Sequence, residues 1–415
     1  MGAAACIGLT SNTSQGDPMA WPLITADSHH NVPLDLVDEL PAKYRQYLPR
    51  IEQREDGAYL VRPRFAAAAK RKKDRKAANQ VLDQMTAALS DGIKVDGLDE
   101  RQLRQMVMGD CGPLASPAPT PEERLVDMAR EGVVGEVLIG EGAFGMMLPD
   151  DDANLAWCRL ANDWMADAYK DHMGQFAPGM LLPLHDLRAA ADEVTRAAAM
   201  GLRPILLPEV ITGMPYSDRM WDPVWEAAAA ARVPVFLHLV GGFAGAMFMG
   251  IDALPIGEAG GAQTAFAIGS AAGMVTLGWF VNSGVLERHP DLTVALIECN
   301  AGWLAYAMQQ WDHALHSRYA EIAHRGGVLD ADLKAPPSYY VRRQVKCQFM
   351  WDPAAIALRH EIGMDVLMWG NDYPHMEGAF PDSQLWVDKQ FAGVPHDEIM
   401  KIVHDNAADV LGLTV

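Results

Sequence analysis

Asp27 and His29 stand one residue apart where an apolar stretch, PLITADSHH, runs out. Alternate residues of a β-strand share a face and lie about 6–7 Å apart along the chain. A carboxylate and an imidazole leaving a strand end together can hold one metal ion. Other apolar runs end on polar groups too: His185 after PGMLLPL, Glu209 after RPILLP, His238 within VPVFLHL, Glu298 after TVALI and Asp372 after LMWGN. Taken singly, most have an ordinary reading. Asp27 and His29 would bond loop backbone, His238 would be a core histidine satisfied by a carbonyl, and Asp372 would cap a turn before Pro374. Glu298 resists such a reading, because a carboxylate after so apolar a run needs a partner or a raised pKa. His30 falls on the face of the strand opposite His29. One metal site is more economical than a separate explanation for each residue.

The elements that must position these groups read as parallel βα units. Eight short runs qualify as strands: 21–28, 135–140, 178–185, 203–208, 233–239, 292–298, 344–350 and 365–371. Amphipathic helices are expected between them, at 121–131, 152–172, 187–200, 222–231, 302–323 and 353–362, and KIVHDNAADVLGL reads as a closing helix. Eight βα repeats close a (β/α)8 TIM barrel, whose chemistry sits at the C-terminal strand ends. The polar residues above lie at those ends, and nothing comparable marks the strand starts. A doubly wound open sheet is the alternative fold, but no GxGxxG or GxxxxGK[ST] turn follows an early strand. In a closed barrel, strands one, five and eight bring Asp27, His29, His238 and Asp372 to one rim. Four N/O ligands suit one divalent ion, Zn2+ first, with Mn2+ or Fe2+ also tolerated. Such an ion can lower the pKa of a bound water or clamp a substrate carboxylate and a neighbouring oxygen. Asp372 could bind it through one oxygen and move a proton with the other.

The bulk numbers frame this site. A chain of 415 residues with half its residues hydrophobic and a mean hydropathy of −0.03 can bury a large soluble core. We expect a leader over 1–19 and a barrel domain over 20–415, with 50–118 inserted after strand one as a cap. The insert holds KRKKDRK at 70–76, read as a solvated helix face or, more sharply, as cations drawing an anionic substrate to the mouth. With 34 basic against 54 acidic residues, a net −20, the surface repels nucleic acid and anionic membranes. Five scattered cysteines give no disulfide framework or metal knuckle and fit a reducing, cytoplasmic setting. No secretory signal is seen, and MGAAAC has Cys6 where a myristoylation start wants Ser or Thr. Residues 259–286 carry no charge but are rich in small residues, so a buried, closely packed helix is expected, not a membrane span. Trp303, Tyr306 and Trp311 are expected to pack a helix on the barrel, and Arg342 and Arg343 to be surface charges at its catalytically silent end.

Several segments carry a family resemblance. ITADSHHNVP is similar to the opening D-x-H signature of the amidohydrolase-related family that includes aminocarboxymuconate-semialdehyde decarboxylase. RLVDMAREGVVGEVLIG resembles that family's approach to the second strand. SGVLERHPDLTVALIECNAGWLAYAMQQWD and LMWGNDYPHMEGAFPDS resemble its sixth- and eighth-strand blocks, and NAADVLGL its last helix. The resemblance spans residues 20–413 apart from the insert. It implies a (β/α)8 barrel with a mononuclear metal site: Asp27 and His29 match the first-strand ligands, His238 the fifth, and Asp372 the eighth-strand aspartate. His375 matches the DYPH motif and, with His185, is expected to support the site or meet substrate. Where the decarboxylases carry a catalytic histidine after strand six, this chain has Glu298.

The leading expectation is therefore a metal-dependent hydrolase in which a metal-activated water attacks a small carboxylated or aromatic substrate, with Asp372 as base and Glu298 as acid. The alternative is non-oxidative decarboxylation on the same ligands; a barrel that only binds is the third reading. A homodimer follows by family analogy alone.

Overall fold

The computed structural model describes residues 20–48, 50–61, 92–99, 102–103, 120–140, 148, 150–211, 214–239, 261–317 and 333–415, with the side chains of 261–269 left aside. The leader at 1–19, the KRKKDRK stretch and much of the 50–118 insert lie outside the described residues.

The first complete βα-type unit shows how local sequence sets the frame. Thr120 caps the helix Pro121–Glu131 through its side chain, Pro121 occupies the first turn, and Glu122 and Glu123 complement the helix dipole there. Gly132, at φ 68°, ends the helix in the left-handed conformation that costs glycine least. Strand β6, Val133–Gly140, follows at once and is nearly all apolar because both of its faces are covered.

Twelve strands are described. Strands β1 (Leu23–Thr25) and β2 (His29–His30) both pair in parallel with β6, and β7 (Phe176–Pro178) pairs with the other edge of β6. A second parallel sheet runs β8 (Ile205–Pro208), β9 (Val235–His238), β10 (Val294–Ile297), β11 (Val345–Phe349) and β12 (Leu367–Trp369). The two sheets meet at both seams. Met180 bridges Ile205 beyond β7, and Leu206 N donates to Met180 O at 3.1 Å. On the other side Ser28 bridges Tyr373, and Ala26 N donates to Trp369 O at 3.0 Å. The parallel strands thus follow one another around a ring, the (β/α)8 arrangement expected. Within the insert, β3 (Arg50–Arg54), β4 (Gly57–Val61) and β5 (Ile93–Lys94) form a separate antiparallel sheet.

Alternation along the strands divides the core. Ile24, Val137, Leu206, Phe236, Ala295 and Met368 belong to an inner cluster, whereas Leu138, Leu207, Leu237 and Leu296 belong to an outer one shared with the helices. Gln348, paired with Met368, is the polar member of the inner layer on β11 and is fully buried.

Element positions follow the expectation closely, with four corrections. The third strand is Phe176–Pro178, not 178–185, because Leu181 N is taken by Asn162 Oδ1 at 2.9 Å and not by a strand neighbour. The run 353–362 breaks at Leu358 into two short helices. The uncharged helix Gly261–Asn282 does pack through small residues, Gly273 against Cys299 and Gly278 against Trp311, yet Val275 and Trp279 are 44% and 49% exposed. Tyr306, expected against the barrel, is 62% exposed, while Trp303 and Trp311 do pack on the core. Among the described residues no helix is long and apolar enough to cross a membrane.

Candidate metal centre

Asp27 follows β1, His29 begins β2, His238 ends β9 and Asp372 follows β12, so the junction of β1 with β2 and the ends of β9 and β12 deliver the four side chains to one rim. His29 Nε2 lies 3.5 Å from Asp27 Oδ1 and 3.0 Å from Asp372 Oδ1. His238 Nε2 lies 3.3 Å from the same Asp27 oxygen. Donors held about 2.1 Å from one ion stand about 3.0–3.4 Å apart in octahedral or tetrahedral geometry. The spacings of 3.0 and 3.3 Å fall in that range, and the third, 3.5 Å, lies just beyond it.

Burial and bonding favour a cation at this point. Asp27 and Asp372 are fully buried and His29 is 2% exposed. Both carboxylate oxygens of Asp27, Oδ2 of Asp372 and Nε2 of His238 have no hydrogen-bond partner among the described residues. Buried polar atoms rarely stay unpaired, and two buried carboxylates side by side need positive charge. His238 Nδ1 donates to Leu239 O at 2.7 Å, which leaves the Nε2 lone pair facing Asp27. Two imidazoles and two carboxylates fit a divalent ion by donor type.

Three further side chains surround this set. His375 Nδ1 bonds Asp372 Oδ1 at 3.0 Å, and its ring lies 4.0 Å from that of His29. The donor atoms of Glu298, Asp372 and Glu377 lie within 4.8 Å of one another. Ile297 belongs to the inner cluster, so its neighbour Glu298 would face outward on a regular strand. A positive φ of 61° redirects it; Asp372 also has a positive φ, of 55°. Such values are costly for residues other than glycine and persist only where the surroundings impose them. For Glu298 the restraint is Gln348, whose Oε1 accepts from Glu298 N at 2.6 Å.

These neighbours push the two acids apart. Burial, reinforced by the charges of Asp372 and Asp27, raises the Glu298 carboxyl well above the usual carboxylate range. Burial would raise Asp372 as well, but His375 and His29 outweigh it and hold that group ionised.

His185 is not brought into this set. Its Nε2 bonds Leu148 O at 2.6 Å and its Nδ1 faces Asp151 at 3.6 Å, so the segment before the helix Asp151–Tyr169 claims it. His30 packs between Trp164 and Tyr169, on the side away from His29's partners. Reading strand ends alone missed Gln348 and Glu377. The first obeys the same rule as the others, a polar residue at the end of an apolar strand; the second lies on the loop after Asp372, where spacing carries no signal.

With this geometry in view, the comparisons with known proteins are direct. An amidohydrolase family model matches residues 26–413, and the chain belongs to that family, whose members are metal-dependent enzymes, hydrolases or carboxy-lyases. Among solved structures it is similar to an amidohydrolase of Mycobacterium avium subsp. paratuberculosis K-10 (21% identity, 94% of this chain and 99% of that one, TM-score 0.63). It is also similar to 2,6-dihydroxybenzoate decarboxylase from Rhizobium (17%, 94% and 99%, TM-score 0.59). A third is 5-carboxyvanillate decarboxylase from Novosphingobium aromaticivorans DSM 12444, complexed with manganese and 4-hydroxy-3-methoxy-5-nitrobenzoic acid (18%, 96% and 98%, TM-score 0.66). At these identities the likeness establishes the shared fold.

Proposed function

We propose that this protein is a metal-dependent carboxy-lyase acting on a small hydroxylated aromatic carboxylate. The observation that carries the reading is that Asp27, His29 and His238 bring donor atoms within 4.8 Å of one another, Asp372 lies 3.0 Å from His29, and a second acid, Glu298, neighbours Asp372. The ion, when bound, supplies positive charge for the substrate's carboxylate and adjacent hydroxyl oxygen. Mixed N/O donors accept Zn2+ or Mn2+, and the manganese-bound decarboxylase of similar fold makes Mn2+ the first ion to test.

The chain's own residues supply the rest. Asp27, His29, His238 and Asp372 hold the ion, and His375 steadies Asp372. Glu298 gives its proton to the ring carbon that bears the carboxylate. The bond from that carbon to the carboxylate then breaks, its electron pair returns to the ring, and carbon dioxide leaves. Glu298 regains a proton from water. In this reading the insert over 50–118 is a cap at the mouth, the chain works in a reducing cytoplasm, and any pairing is with a second copy. The buried thiols of Cys158, Cys299 and Cys347 suit that compartment.

Hydrolysis is the second reading, favoured by one observation: a glutamate, Glu298, stands where the decarboxylases resembled here carry a histidine. A carboxylic acid there would protonate a leaving oxygen or nitrogen.

The test is Mn2+-loaded protein offered ortho-hydroxybenzoates beside lactones, esters and amides, with carbon dioxide and acid release both followed. Metal-dependent carbon dioxide release, reduced about 10²–10⁴-fold in Glu298→Gln, is the expected result. Acid release without carbon dioxide would give the assignment to the hydrolase, and unchanged turnover in Glu298→Gln would remove that residue from the mechanism.

A further inference from the structure

Arg124 lies on the helix Pro121–Glu131, about a hundred residues or more from each of the four side chains that converge at the rim. It is only 1% exposed, and its guanidinium reaches three partners at once. Nη1 donates to the backbone carbonyl of His29 at 2.7 Å, Nε pairs with Glu136, and Nη2 donates to Ser28 Oγ. Ser28 Oγ in turn donates to Glu136 Oε2 at 2.9 Å, which closes the ring of bonds.

The same guanidinium covers Tyr373, with its central carbon 4.9 Å from the ring centre. Tyr373 follows Asp372 directly. Its hydroxyl donates to Asp127 Oδ2 at 2.6 Å, and its carbonyl accepts from His29 N at 2.6 Å. One side chain therefore touches the His29 carbonyl, the Ser28 hydroxyl and the Tyr373 ring, on both sides of the ring's closing seam.

We propose that Arg124 is the positioning residue of the metal centre. Its planar fork holds the His29 carbonyl while its face covers the Tyr373 ring, and so sets the separation of the His29 and Asp372 donor atoms. The inference rests on the reading above, in which those two side chains share one divalent ion. Holding the helix to the strand does not require this arrangement, since a buried ion pair is often replaceable by apolar residues of similar volume. What apolar residues lack is a donor for the His29 carbonyl. Lysine lacks the fork: a point charge cannot reach His29, Ser28 and Glu136 in one plane.

The test compares wild type with Arg124→Lys and with the double variant Arg124→Met, Glu136→Met, which leaves no orphaned charge. Mn2+ affinity is measured by titration, and the visible spectrum of bound Co2+ reports ligand geometry; neither depends on turnover. We expect both variants to fold by circular dichroism, to bind Mn2+ about 10–100-fold more weakly, and to show an altered Co2+ spectrum. A folded variant with wild-type affinity and spectrum would overturn the inference. Arg124→Lys, which keeps the buried charge, decides the matter should the double variant not fold. Wild-type protein that takes up neither ion would overturn the metal reading itself, and this inference with it.

Discussion

His238 is the simplest place to test the centre, because its neighbours fix its role without touching the fold. The carbonyl of Leu239 accepts from its Nδ1, so among the described residues Nε2 has no task other than facing Asp27. Replacing it with alanine removes a donor and leaves the strand bonds of β9 intact. Elemental analysis should find about one divalent ion per wild-type chain and little in His238→Ala; full occupancy in the variant would remove His238 from the ligand set. The residue was legible as a lone histidine in an apolar run, but its direction was not. Glu298 shows the same limit. Its type was visible, while its orientation depends on a left-handed backbone that Gln348 holds, fifty residues later.

At the scale of elements, the seam between β12 and β1 is closely packed. Gly370 follows β12, and a methyl group there would lie 2.7 Å from Asp27 Cβ and 2.8 Å from Asp27 N. Neither can retreat, since the Asp27 carbonyl accepts from both the Thr25 hydroxyl and Asp372 N. Gly370→Ala should cost about 1–3 kcal/mol in urea unfolding and weaken metal uptake together; a stable variant with wild-type metal content would contradict the close approach. A second seam is electrostatic. Asp222 opens the helix Asp222–Ala231 and is bonded by His289 Nε2 at 3.0 Å and Arg288 Nη2 at 3.2 Å. Burial would raise its pKa, but the hydrogen bonds from His289 and Arg288, with the charge of Arg288, overcome that and depress it. A depressed carboxylate contributes stability above its unfolded pKa and loses it as pH falls through the folded value. The stability gap between wild type and Asp222→Asn should therefore be open at neutral pH and close below the ordinary carboxylate range. A gap that persists at low pH would assign the effect to packing.

For the whole molecule, the centre couples function to stability. In the proposed reading four donors from both sides of the closing seam share one ion, so an ion bound there would hold the ring shut. Anything that binds only the folded state stabilises it, by about 2.7 kcal/mol at a hundredfold excess over the dissociation constant. Removing metal with a chelator should lower the thermal midpoint, and returning Mn2+ should restore it. A midpoint indifferent to the ion would argue that the ring closes without it.

The chain order alone determined much of this. Apolar runs of strand length separated by amphipathic helices specify parallel βα units, because only strands covered on both faces need such continuous hydrophobicity. Polar residues at one end of those runs marked the rim for the same reason. Tertiary structure decided what short-range patterns cannot encode. It aimed Glu298 and drew Gln348 and Glu377 beside the acids. His185 was diverted to Leu148, and Arg124 was set behind His29. Each of these outcomes depends on which distant backbone group lies within hydrogen-bond reach, and that is fixed only when the ring closes.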